Sequence, residues 1–68
     1  MDTTGWEFQL GDVVQKIKGS QWRGKVVGFY STTSTKRGYA IESMFETGSV
    51  QIYPEAALAK IKHGEETN

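Results

Sequence analysis

Five short runs of β-branched and aromatic residues, spaced roughly ten residues apart, predict an all-β domain. Glycine and Ser/Thr clusters punctuate these runs where tight turns need them, and no segment has room for a long amphipathic helix. With one helical turn ahead of the last run, the pattern fits a small five-stranded SH3-like barrel over residues 10–62, flanked by flexible tails at 1–9 and 63–68.

The elements follow in order. Residues 1–9 are polar, contain Gly5 and show no period, so they read as a loose tail, although Trp6 and Phe8 have the apolar area to pack onto the body. The first strand spans residues 13–18, with Val13, Gln15 and Ile17 on one side and Val14, Lys16 and Lys18 on the other. A loop framed by Gly19 and Gly24 carries Trp22. Residues 25–30 form the second strand, with Val27 and Phe29 on one side and Val26 and Tyr30 on the other, which predicts burial on both faces, partly in the core and partly against something else. After a Ser/Thr-rich turn the third strand covers residues 38–44, and a final short strand covers 59–62 after a helical turn at 54–58.

The fourth strand organises the rest. In Gly48-Ser49-Val50-Gln51-Ile52-Tyr53-Pro54, glycine supplies the turn and the chain's one proline ends the ladder. Alternation sets Ser49, Gln51 and Tyr53 on one face and Val50 and Ile52 on the other. The first face, a glutamine between a hydroxyl and a phenol, suits neither a core nor an ordinary charged surface. It suits a shared surface where polar ligands are held by amide, hydroxyl and main-chain groups.

Composition narrows the function classes. Sixty-eight residues without cysteine exclude disulfides and thiol chemistry, and with His63 as the single histidine a zinc site of the usual His/Cys kind is excluded too. Two Trp, three Phe and three Tyr exceed what so small a core hides, which favours oligomerisation. Eight basic and eight acidic side chains balance, so net charge argues for no nucleic-acid or membrane partner. With no signal peptide and no long apolar run, a soluble cytoplasmic protein is expected. His63, Glu65 and Glu66 read as solvating tail charge.

The run Val50-Gln51-Ile52-Tyr53 also resembles the signature of the type II, plasmid-borne, trimethoprim-insensitive dihydrofolate reductases. The likeness extends through Gly11-Asp12, Lys16, Trp22, Gly24, Val27-Gly28, Tyr30, Gly38-Tyr39-Ala40, Glu42-Ser43 and Ala56-Ala57-Leu58. It implies a homotetramer with mutually perpendicular two-folds and a single central pore, in which dihydrofolate is reduced with NADPH. It further implies catalytic roles for Gln51, Ile52, Tyr53 and Lys16, and cofactor binding by Lys16, Ser49, Val50, Gln51, Ile52 and Tyr53. Lys16 falls where the family places a lysine near each pore mouth, facing anionic ligands, and Trp22 and Tyr30 fall at aromatic positions near subunit contacts, with a simple core role equally open for Tyr30. One departure stands out. Glu46 occupies the position where well-known members carry an interface histidine whose protonation loosens the tetramer, so the acid-triggered dissociation of those members is not expected here.

A rival pattern coexists with this one. Leu10-Gly11-Asp12-Val13-Val14, followed by Gly19, Gly24 and Gly28, resembles the KOW pattern of small RNA-binding barrels, though without their basic excess. An RNA- or peptide-binding module without catalysis is the alternative.

Overall fold

In the computed structural model, which describes residues 4–18 and 22–61, the five expected runs pair into one antiparallel sheet. Its strands are β1 (Val13–Lys16), β2 (Arg23–Tyr30), β3 (Gly38–Ser43), β4 (Val50–Pro54) and β5 (Leu58–Lys60), in spatial order β4-β3-β2-β1-β5. A 3-10 turn, Glu55–Ala57, fills the step between β4 and β5 where one helical turn was expected. The sheet is open, since β4 and β5 lie at its two ends and no ladder joins them. The expected C-terminal tail lies outside the described residues, as does the start of the loop before Trp22.

Strand ends differ from expectation by a residue or two. β1 stops at Lys16 because Ile17 turns its N–H to the carbonyl of Ala57 at 3.1 Å. β2 begins at Arg23, earlier than the glycine-framed loop implied, because Gly24 pairs with Val14 on one side and Ser43 on the other. A Cβ at Gly24 would stand 2.6 Å from the Glu42 carbonyl oxygen, so only glycine lets three strands approach so closely here.

A bulge in β2 decides which residues enter the core. The register against β3 shifts between Val26 and Gly28, which leaves Val27 out of the ladder. Val26 then faces Ile41 and Phe29 faces Tyr39, so two residues three apart fall on the same side. This corrects the strict alternation expected for β2. Phe29 packs with the core, whereas Val27, expected on the same side, is exposed. β1 also chooses the less apolar of its two faces: Val14 is fully buried, and Ile17 is exposed.

Phe8, Val14, Val26, Tyr39, Ile41 and Leu58 form the core cluster. The segment expected as a loose tail through Gln9 thus contributes Phe8, only 2% exposed, to the core. Trp6 lies edge-on to both Phe29 and Tyr39, each at a centroid distance of 5.6 Å. Main-chain bonds fasten the following residues, with Gly11 N–H on the Val26 carbonyl and Val26 N–H on the Asp12 carbonyl, both 2.9 Å.

The largest core side chain, Tyr39, carries a hydroxyl that must be satisfied without water. It accepts from the Phe8 N–H at 3.3 Å and donates to Oε2 of Glu55. The same carboxylate accepts from the Glu7 N–H at 3.1 Å and pairs with Arg37 Nη1 at 3.7 Å. Burial and the Glu55 carboxylate push the Tyr39 phenol from 10.0 up to about 12. For Glu55, burial favours the neutral acid, but the bonds from Tyr39 and Glu7 and the Arg37 charge outweigh it. The carboxyl is held below its ordinary range.

The sign of the pH dependence follows. Glu55 binds its proton more readily in the unfolded chain, so its contribution is present above the ordinary carboxylate range and is lost as pH falls through the depressed folded value. The Tyr39 contribution is present below its ordinary value of 10.0 and is lost as pH rises toward about 12. Replacing Glu55→Ala removes the acceptor for the buried Tyr39 O–H, and the expected loss is about 1–3 kcal/mol in urea unfolding at pH 7. The difference from wild type should shrink as pH falls below the ordinary glutamate value of 4.5 and through the depressed folded value. A constant difference down to acid unfolding would show that the carboxylate charge contributes nothing.

Candidate functional site

β4 is an edge strand with two distinct ways of presenting chemistry. Gly48, at φ 88°, makes the left-handed turn into it, and Glu42 Oε2 accepts the Gly48 N–H at 2.8 Å. The Ser43 N–H donates to the Ser49 carbonyl at 2.8 Å, so Ser43 and Ser49 are a hydrogen-bonded pair. Antiparallel pairing alternates, so Ile41/Gln51 and Tyr39/Tyr53 are also bonded pairs, whereas Glu42/Val50 and Ala40/Ile52 are not. The main-chain N–H and C=O of Val50 and Ile52 therefore point away from β3. Pro54 sits in the same outward phase opposite Gly38, where its missing N–H costs the ladder nothing.

The side chains divide by the same alternation. Gln51 and Tyr53 lie across from Ile41 and Tyr39, on the face of the sheet that carries the core. Val50 and Ile52 lie on the opposite face and are 49% and 62% exposed, so the apolar residues of this strand are its outward ones. A core role for that pair, the ordinary outcome for an apolar alternation, is not realised.

Lys16, Tyr53 and Gln51 come together. The Tyr53 ring is half-buried against the core, with Trp22 at a centroid distance of 5.6 Å and a tilt of 58°. Lys16 Nζ stands 5.2 Å from the centroid of the same ring, close enough for a cation–π attraction. The Lys16 N–H in turn donates to the Trp22 carbonyl at 3.2 Å. Tyr53 donates its hydroxyl proton to Oε1 of Gln51. Ser49 stands apart from this cluster at the entry to β4, its N–H donating to the Glu46 carbonyl at 3.1 Å.

Two features escape a reading of the strand alone. Trp22, linked to subunit contacts by the resemblance, here touches the candidate-site tyrosine within one chain. Tyr30 covers Gly38, where its ring occupies the space a Cβ would need. Glu46 is exposed in the β3–β4 turn, with its N–H on Ser43 Oγ at 3.2 Å. No group of three His, Cys, Asp or Glu among the described residues is placed to hold a metal. Among the described residues, no helix is long and apolar enough to cross a membrane.

Such an arrangement can hold a planar polar ring system and an anion at once, through an amide, a main-chain donor–acceptor pair and a lysine. Comparison with known proteins is specific. The family model described as R67 dihydrofolate reductase matches residues 3–62. Two relatives from Escherichia coli, each described as dihydrofolate reductase type 2, are 56% and 54% identical over 54 residues. Each alignment covers 79% of this chain and 69% of the relative.

Proposed function

The chain belongs to the R67 dihydrofolate reductase family, and from that premise we propose that it reduces dihydrofolate to tetrahydrofolate with NADPH and is insensitive to trimethoprim. The observation that carries the site is the convergence of Lys16, Tyr53 and Gln51 beside the outward main chain of Ile52.

These groups fit a nicotinamide dinucleotide phosphate. The Ile52 N–H and C=O complement a carboxamide, which offers one acceptor oxygen and two donor hydrogens. Lys16 supplies a cation for the phosphates and for the glutamate tail of folate. The Tyr53 ring and hydroxyl lie on the cofactor side, Gln51 forms the floor, and Ser49 and Val50 flank it.

No cavity closes around these residues among those described in one chain, and Val27, Val50 and Ile52 leave apolar area in the open. Our reading is that the sheet is an SH3-like barrel unit, four copies of which form a homotetramer around one pore. Four copies of Lys16 would then focus positive potential at its mouths. A cytoplasmic site of action completes the proposal.

Bound NADPH supplies the hydride. The chain's own contribution is to hold the two rings in register and to exclude water between them. Val50–Pro54 contains no carboxyl, imidazole or thiol, and the Glu55 carboxylate is committed to Tyr39, Glu7 and Arg37. As the family resemblance implies, the proton for the pterin would come from solvent or arrive with already protonated substrate. Forgoing a positioned general acid forfeits a factor of about a hundred to ten thousand, so turnover is slow.

Three measurements test this. NADPH oxidation in the presence of dihydrofolate should persist at micromolar trimethoprim, because the site strand offers no carboxylate to the drug's protonated ring. Half-inhibition at nanomolar drug would refute the reading. Lys16→Met should raise KM for both ligands severalfold and flatten the salt dependence of binding, and an unchanged salt response would remove the charge role. Gln51→Ala should lose most activity while its unfolding midpoint stays within about 0.5 kcal/mol of wild type, as expected for an exposed side chain. Near-wild-type turnover in that variant would exclude Gln51 from the site.

A further inference from the structure

The side chain that forms the floor of the site has its direction set from within its own strand. Gln51 and Tyr53 are two residues apart on one face of β4, and the phenol donates its proton to the Gln51 carbonyl oxygen. An O–H donor satisfies only the Oε1 end of a primary amide. The amide is therefore held with Oε1 toward Tyr53, and Nε2, which has no partner among the described residues, presents its two N–H groups elsewhere. The phenol is itself fixed without any ligand. Trp22 packs on its ring at 5.6 Å, Lys16 Nζ stands 5.2 Å away, and the ladder places it opposite Tyr39.

We propose that Tyr53 is the positioning residue that makes Gln51 a hydrogen-bond donor, so that the site selects ring systems carrying an acceptor oxygen and rejects those carrying an amino group at the same place. This inference rests on the reading of the site as a pterin and nicotinamide site. The dihydropterin ring carries a 4-oxo group, and the 2,4-diamino antifolates carry an amino group in its stead. An amino group meeting Nε2 sets donor against donor. Both groups lose water without gaining a bond, and such a mismatch is far more costly than a lost contact. Specificity of this kind comes from a repulsive element as much as an attractive one.

The test compares two ligands that share a glutamate tail, folic acid (4-oxo) and aminopterin (4-amino). Their dissociation constants are measured by calorimetry on assembled wild type, Tyr53→Phe and Gln51→Glu. Wild type should prefer folic acid at least tenfold. Tyr53→Phe, which lets the amide turn over, should reduce the preference to about twofold or threefold. Gln51→Glu, which still accepts from Tyr53 but offers the ligand only acceptors, should reverse it. A purely structural role for Tyr53 would weaken both ligands together and leave the ratio untouched. An unchanged ratio in Tyr53→Phe overturns the inference, as does a wild type without preference. If wild-type protein still reduces dihydrofolate with NADPH in that case, the inference alone falls. If it does not, the proposed function falls with it.

Discussion

The hydroxyl of Tyr39 is the constraint on which the rest of the structure depends. A buried phenol near the start of β3 brings apolar area to the core and a polar atom that cannot be left without a partner. The Phe8 N–H on one side and the Glu55 carboxylate on the other satisfy it. Those two partners belong to the segment before β1 and to the turn after β4, so a single satisfied group on β3 ties these two distant stretches of chain together. Arg37 and the Glu7 N–H complete the carboxylate's shell, which keeps Glu55 ionised although it is half-buried. The aromatic cluster of Trp6, Phe8, Phe29 and Tyr39 then packs around a point that hydrogen bonds have already located.

Much of this was legible in the sequence, and the parts that were not share a cause. The turns announced themselves through residues with specific backbone roles: Gly48 at positive φ, Pro54 at an edge, and Ser/Thr clusters between strands. Strand existence followed from that punctuation. What local alternation cannot reveal is a change of phase. The bulge at Val27 moved Phe29 onto the face of Val26, because two core partners on β3, Ile41 and Tyr39, had to be met by residues three apart. The sequence showed that Phe8 could pack onto the body, but not that it would be fully buried, for a related reason. An apolar residue in an irregular segment shows no period, and the long-range partner that justifies its burial lies 31 positions away.

For the candidate site, the residue set stood out as a face unsuited to either core or surface, and the family resemblance supplied the ligand chemistry. The structure added the connections between its members. Lys16, Trp22, Tyr53 and Gln51 come from β1, the residue before β2, and β4, and sequence spacing alone could not say that they touch. Glu55 carried no functional signal because its importance lies in what it partners, and a glutamate at the start of a short helical turn is unremarkable by itself.

The outward phase of Ile52 has an evolutionary consequence. A main-chain N–H and C=O exist whichever residue is encoded, and only proline removes the donor. Recognition that runs through the edge of β4 is thus indifferent to almost every single-codon change at position 52. An inhibitor that takes its anchoring bonds from that backbone edge would leave the protein few routes of escape by side-chain replacement.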